Sequence, residues 1–204
     1  MLVGIETMGG LKSMNEKYNR IYGGGRKSGE RIKNDFYATE PLAIELAQDM
    51  FKETKLNKRV WECACGDGNI SEVLLKLGYN VKSSDLIDRG YGKQIDFLKY
   101  NKKVKCDILT NPPFKELEKF VIKAMEILED GYKFYCFCKI QTLEGKARKK
   151  LFEKYNPKFV YVYSMRAGII PNNDLKHNKL LKTFCFCWII FEKGYCGLTE
   201  LRWI

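Results

Sequence analysis

Short apolar runs alternating with amphipathic helical segments, and two tight turns placed where such runs stop, predict an α/β chain. Its expected architecture is a doubly wound, mostly parallel sheet with helices on both faces. The composition fits: 204 residues at 45% hydrophobic content can bury one full core, and a single α/β domain is the natural count for that length. Residues 1–34 stand apart. They hold a basic, glycine-rich stretch that includes Gly23-Gly24-Gly25-Arg26-Lys27 and has little apolar periodicity, which reads as a flexible arm. Such an arm either tracks phosphates and orders on binding or is a solvated terminus. The compact domain is expected over 35–204.

In chain order, Thr39 can cap a helix with Pro41 in its first turn, followed by Leu42, Leu46 and Met50 on one face. A buried strand, Val60-Trp61-Glu62-Cys63-Ala64, then runs into Cys65-Gly66-Asp67-Gly68 and the helical pattern Ile70, Val73, Leu74, Leu77. Glycines at 66 and 68 let backbone approach a ligand closely. The new helix points its N-terminal amides and positive dipole end at the same place, where a carboxylate is welcome. The third position of a dinucleotide fingerprint is Ser71 rather than glycine, so the glycines alone also fit an ordinary tight turn. The next strand, 79–84, delivers Asp85 at its end, 17 positions after Gly68, near the spacing of about 20 at which α/β nucleotide sites place a ribose-binding acid. Asp96-Phe97-Leu98 offers another acid, for an exocyclic amine, and an aromatic side chain for a purine face. Each of these acids has a second reading as a solvated loop residue.

The run Cys106-Asp107-Ile108-Leu109-Thr110 stops at Asn111-Pro112-Pro113-Phe114. Two consecutive prolines cannot continue a central strand or enter a helix interior, so Asn111 and Phe114 are left at the carboxyl end of the strand, the edge where open α/β sheets bind ligands. An amide, two fixed carbonyls and an aromatic face together can hold a planar amino group. Beyond this point the pattern gives a helix over 115–128, a strand over 132–139, a helix over 145–155, a strand over 158–164 and a last strand over 183–192. The helix over 145–155 would turn Ala147 and Leu151 inward, with Leu143 just ahead of it on the same side, and Lys146, Arg148, Lys149 and Lys150 outward.

Glu62-Cys63-Ala64-Cys65-Gly66-Asp67-Gly68, then Asp85, then Asp96-Phe97-Leu98, then Asn111-Pro112-Pro113-Phe114 resembles, in order and spacing, the S-adenosylmethionine-dependent methyltransferases that methylate amino groups of DNA bases. Asp35-Phe36-Tyr37-Ala38-Thr39-Glu40-Pro41 and the closing run Phe186-Cys187-Trp188-Ile189-Ile190-Phe191-Glu192-Lys193-Gly194 are similar to segments of the small phage-type adenine-N6 enzymes. The resemblance implies a Rossmann-like class I methyltransferase fold of about seven strands, with an antiparallel last strand. It also implies roles. Gly66 and Gly68 would pass against the methionine moiety of S-adenosylmethionine with Glu62 and Asp67 near its polar groups; Asp85 would bind the ribose, Asp96 the adenine amine, and Phe97 would bound the adenine. Asn111, Pro112, Pro113 and Phe114 would form the catalytic set, in which Asn111 and the Pro112 carbonyl would accept from the target amine and Phe114 would stack on the base. Tyr37 offers a second wall of that pocket, or is a half-buried tyrosine beside a helix start. In the loop over 165–182, Arg166 and Lys176 are candidates for contact with nucleic acid, although a polar loop without that role has the same composition.

An aromatic amine is a poor nucleophile because its lone pair is delocalised, and two acceptors that draw its hydrogens out of plane make it reactive. The rest of the catalysis is alignment, which contributes several kcal/mol. A base inside duplex DNA must first leave the stack. The net charge of +11 and pI near 9.2 favour a polyanionic partner such as DNA. Of the eight cysteines, three pairs have the form Cys-x-Cys (63/65, 136/138, 185/187), and His177 is the single histidine. Buried thiols are the better reading than a metal site, and no metal is expected. With no apolar run near 18 residues and no basic-then-apolar opening, neither a membrane span nor export is indicated, and reduced thiols suit the cytoplasm. Competing acceptors for the same chemistry are cytosine N4, an RNA base and a protein glutamine. A binding module without turnover is a third class, and an NAD-type Rossmann protein a fourth.

Overall fold

The computed structural model describes residues 37–164, 169–171 and 185–204; the arm over 1–34, Arg166 and Lys176 lie outside them. The described chain runs β1 (Tyr37–Thr39), α1 (Pro41–Leu46), α2 (Gln48–Glu53), β2 (Arg59–Glu62), α3 (Asn69–Lys76), β3 (Asn80–Asp85), β4 (Lys93–Gln94), a 3-10 turn (Phe97–Lys99) and β5 (Asp107–Thr110). It continues with α4 (Leu117–Ile127), β6 (Lys133–Lys139), a second 3-10 turn (Ile140–Leu143), α5 (Lys146–Lys154), β7 (Phe159–Val162), β8 (Ile169–Pro171), β9 (Phe186–Glu192) and β10 (Glu200–Trp203).

Among the described residues, eight strands form the main sheet in the order β10-β7-β9-β6-β5-β2-β3-β4, and β1 pairs separately with β8. Every neighbour in the main sheet is parallel except β9, which is antiparallel to both β6 and β7. The expected mostly parallel sheet with an antiparallel strand near the end of the chain is what forms, with eight strands where about seven were expected. The antiparallel strand is internal and next to last, and Glu200–Trp203 adds a parallel edge strand beside β7. That strand escapes a periodicity reading because three of its four residues are exposed. The two-residue β4 at the other edge is too short to leave a pattern.

Two apolar layers cover the faces. On one side α1, α2 and α3 bury Ile44, Met50, Phe51, Ile70 and Leu74 against Tyr135, Phe137 and Trp188; on the other, α4 and α5 bury Phe120, Val121, Ala124 and Leu151 against Trp61, Ile108 and Phe134. The helical face over 41–53 differs from expectation. Leu42 is 43% exposed, and Ala43, Ile44, Ala47, Met50 and Phe51 form the buried side because the chain breaks into two helices at Ala47. In α5 only Leu151 is buried; Ala147 is exposed and Leu143 is 39% exposed.

The strand bottoms are tied by Asp107, 1% exposed, which accepts from the Asn57 and Lys133 amides at 2.8 Å each. Burial raises its pKa above the ordinary carboxylate value. Among the described residues no helix is long and apolar enough to cross a membrane.

Candidate active site

From β2 the chain moves outward to β3 and β4, then returns to place β5 on the other side of β2. The sheet therefore switches winding direction between β2 and β5, and a crevice forms at the carboxyl ends of strands at such a point. The two turns singled out in the sequence follow these two strands: the glycine turn leaves β2 after Glu62, and Asn111-Pro112-Pro113-Phe114 leaves β5 after Thr110.

The glycine turn is held by the protein itself. Gly66 and Gly68 have φ of 55° and 90°, in the left-handed region that glycine enters at little cost. The Gly66 amide donates to Asp85 Oδ2 at 2.9 Å, and the Gly68 amide to the Cys65 carbonyl at 2.8 Å. A Cβ on Gly68 would stand 2.5 Å from the ring of Tyr91, so the close approach at this glycine is to a neighbouring side chain of the same protein. Asp67, between them, is half-buried. Tyr91 Oη donates in turn to Glu72 Oε1 at 2.7 Å.

Glu62 lies behind the turn, 1% exposed, and takes a hydrogen bond from the Ser71 hydroxyl. Ser71 Oγ also lies 2.6 Å from Ser83 Oγ. The serine that replaces the third fingerprint glycine thus serves the buried carboxyl. Burial is the main reason the Glu62 pKa is raised to about 8; the bond to Ser71 opposes the shift. Burial likewise pushes the Cys63 thiol up and the Cys65 thiol to about 12, so these are neutral packing groups. In the neighbouring strands Cys138 and Cys187 face each other with their sulfurs 3.9 Å apart. Among the described residues no group of three or more His, Cys, Asp or Glu side chains is arranged to hold a metal ion.

Asp85 ends β3 with its carboxylate oriented by two amides, Gly66 to Oδ2 and Ile87 to Oδ1, each 2.9 Å. A carboxylate has about four lone-pair sites, so two hydroxyls can still be accommodated. Leu86, directly after it, is 59% exposed and supplies apolar surface that the sequence reading passed over. Asp96 caps the first 3-10 turn through the Leu98 amide at 3.1 Å and sits 3.4 Å from Lys99 Nζ. Phe97 requires a correction. It is 2% exposed, with its ring against Trp61 and stacked on Phe120 at 4.9 Å between centroids, so it is core and its ring has no face left for a ligand.

Asn111 is half-buried, and its Nδ2 donates to Thr39 Oγ1 at 3.1 Å. Thr39, 3% exposed, also accepts at its backbone carbonyl from Asn69 Nδ2 at 3.1 Å. Thr39 was expected to cap the helix at Pro41, but the N-cap is Glu40 without a side-chain cap bond; the hydroxyl serves Asn111 instead. Pro112 is buried and Pro113 half-buried. Phe114 is half-buried, with Lys139 Nζ 4.5 Å from its ring centroid. Tyr37 lies in β1, in register with Pro171 of β8. The structure thus gathers Gly66, Asp67, Gly68, Asp85 and Asn111 around the switch point, keeps Glu62 behind it, and adds Thr39, Asn69, Ser71 and Tyr91.

The sequence matches no family model and no curated protein. Solved structures do match. A chain assigned as modification subunit of a type I restriction enzyme from Vibrio vulnificus YJ016 superposes with a TM-score of 0.57 at 12% identity, over 98% of this chain and 53% of that one. This chain therefore spans about half the length of that subunit. Magnesium protoporphyrin IX methyltransferase from Synechocystis PCC 6803, with bound S-adenosylmethionine, matches at 0.52 and 11% identity, over 95% of this chain and 100% of that one. The 1,6-didemethyltoxoflavin-N1-methyltransferase of Burkholderia thailandensis, with bound 1,6-didemethyltoxoflavin and S-adenosylhomocysteine, matches at 0.50 and 9% identity, over 96% and 94%. The fold is that of the class I S-adenosylmethionine-dependent methyltransferases.

Proposed function

We propose that the protein uses S-adenosylmethionine to methylate the exocyclic amino group of a base, with adenine N6 in DNA as the acceptor. The observation that carries this reading is the adjacency of the two turns at one switch point: a glycine turn on β2 and an amide followed by two prolines and an aromatic on β5. The cofactor's chemistry fits the donors present. Asp85 offers an oriented carboxylate for a ribose diol, and Leu86 apolar surface for a purine, in place of the Phe97 ring. Gly66, Asp67 and Gly68 form the turn for the amino-acid end, with the buried Glu62 carboxyl behind it, and Asp96 is the acceptor for the purine amine. S-adenosylmethionine brings a methyl group already activated on a sulfonium, so no strong base is required of the protein.

The chain's own work is then to hold the amine. Asn111 and the Pro112 carbonyl accept its two hydrogens, which draws the nitrogen out of conjugation and aims its lone pair. Phe114 carries the base on the ring face opposite Lys139, whose Nζ lies over the other face; stacking of a base on an aromatic is worth about 1–3 kcal/mol and offsets part of the cost of leaving the duplex. The net charge of +11 supports a polyanionic partner, and Tyr37, Arg166 and Lys176 remain proposed contacts, with residues 1–34 as a proposed arm along the phosphates.

Among the structures that match, the fold serves a magnesium protoporphyrin IX methyltransferase and a 1,6-didemethyltoxoflavin-N1-methyltransferase, so the acceptor is what the experiment tests. Nucleoside mass spectrometry of plasmid DNA incubated with the protein and S-adenosylmethionine, with Asn111→Ala as control, should show N6-methyladenine with the wild type alone. N4-methylcytosine, or methyl groups appearing only on RNA or on protein glutamine, would move the acceptor. No transfer to any of these despite cofactor binding would leave a binding module.

A further inference from the structure

We infer that Thr39 is a positioning residue for methyl transfer, setting the orientation of the Asn111 amide and its distance from the glycine turn. The inference rests on the acceptor role proposed for Asn111.

Thr39 makes two bonds in opposite directions. Its hydroxyl oxygen accepts a hydrogen bond from Asn111 Nδ2 at 3.1 Å. Its carbonyl takes one from Asn69, the first residue of α3 and the neighbour of Gly68, also at 3.1 Å. One residue is therefore bonded both to the helix that follows the donor-side turn and to the amide on the acceptor side. The register of β1 against β8 fixes its backbone, with Thr39 opposite Ile169, and its side chain is almost without exposure at 3%. The bond is part-buried, which reduces competition from water.

The geometry matters because an asparagine side chain has free torsions about both of its side-chain bonds, and its two ends differ in chemistry but hardly in shape. With Nδ2 given to Thr39, the carbonyl end of the amide points away from Thr39. A misaligned amide would accept from the target amine poorly, and small errors in a near-attack geometry are costly in rate. Loss of the hydroxyl should therefore appear in the rate of transfer, with cofactor affinity spared, since Thr39→Val keeps the backbone carbonyl and hence the Asn69 bond.

The test uses the full chain with tritiated S-adenosylmethionine and plasmid DNA, comparing wild type, Thr39→Val and Thr39→Ser. Thr39→Val should lower kcat roughly tenfold, about 1.4 kcal/mol, with the KM for DNA and the cofactor Kd within twofold of wild type. Thr39→Ser should restore most of kcat. An equal loss in both variants, or a loss confined to KM or cofactor Kd, would overturn the inference.

A second readout does not need turnover. The Asn111 side-chain amide, assigned in a 15N-correlation spectrum by its disappearance in Asn111→Asp, should exchange slowly with solvent in the wild type and in Thr39→Ser. It should exchange at least tenfold faster in Thr39→Val. Unchanged exchange in the folded Val variant would sink the inference even if methyl transfer is confirmed. Faster exchange in a protein that methylates nothing would uphold the Thr39 contact as the anchor of the amide and remove the reading of the reaction instead. Should Thr39→Val fail to fold, Thr39→Ala is read in the same two assays.

Discussion

Replacing Glu62 with Gln should flatten the pH dependence of stability across the neutral range. In the folded protein burial raises the Glu62 pKa from 4.5 to about 8, whereas in the unfolded chain the carboxyl titrates near its ordinary value. Below pH 4.5 the group carries its proton in both states and its contribution to stability is fully present. As pH rises from there the unfolded chain releases the proton first, so folding is progressively disfavoured until the folded carboxyl also ionises near 8. At about 1.4 kcal/mol per pH unit, the gap from 4.5 to about 8 amounts to about 5 kcal/mol, of which about 2.5 kcal/mol falls between pH 5.5 and 7.5. Gln can still accept from Ser71 but cannot titrate. Urea unfolding of both proteins at pH 5.5, 6.5 and 7.5 should show wild type losing about 2.5 kcal/mol more than Glu62→Gln over that range. Asp107, also raised by burial, contributes alike to both and cancels. Parallel profiles would refute the reasoning, because they would mean that Glu62 is ionised and compensated in the folded state. A cationic ligand group on the glycine turn favours the ionised form, so S-adenosylmethionine affinity should climb with pH toward 8 in wild type and stay level in the variant.

Four further outcomes are expected. Asn111→Ala should abolish methyl transfer while calorimetric binding of S-adenosylmethionine is retained within a few fold. Asp85→Ala should weaken that binding by roughly 1.5–3 kcal/mol, the worth of charge-assisted hydrogen bonds; equal losses of cofactor affinity in both variants would contradict the division of roles. Gly68→Ala places a side chain at φ 90° and against the Tyr91 ring, and should cost about 2 kcal/mol in denaturant unfolding. A Gly68→Ala, Tyr91→Ala double variant should recover the steric part, so that the two changes do not add. Asp107→Ala strips the Asn57 and Lys133 amides of their acceptor and should destabilise by about 3 kcal/mol, with Asp107→Asn intermediate.

The parts of the site legible in the sequence are those fixed by local chain geometry. Pro112 and Pro113 had to end a strand, Gly66 and Gly68 had to turn, and Ile70, Val73 and Leu74 had to face inward as they do. The unread parts depend on partners far along the chain. Thr39 is a residue type that caps helices and stands just before one, yet its hydroxyl's partner is 72 positions away. Phe97 stands beside a candidate ligand acid and still faces inward, because Trp61 and Phe120 complete an aromatic layer there. Ser71 reads as a failed glycine until Glu62 is seen to need its hydroxyl. The strand at 200–203 is polar enough to pass for a tail because an edge asks little burial of it.

The position of β9 has a consequence for the order in which the chain is made. β7 leaves the ribosome before the strand that will lie between it and β6, so Phe159, Val160 and Tyr161 have no ladder to join until residues 186–192 arrive. The half of the sheet from β4 to β6, which carries both turns of the site, consists of strands that can pair as they emerge. Synthesis therefore delivers the two turns first and the β8 and β9 partners that complete the site's surroundings later, and in between β6 presents an open apolar edge. That interval is when a nascent chain of this design is most exposed to pairing with a wrong strand.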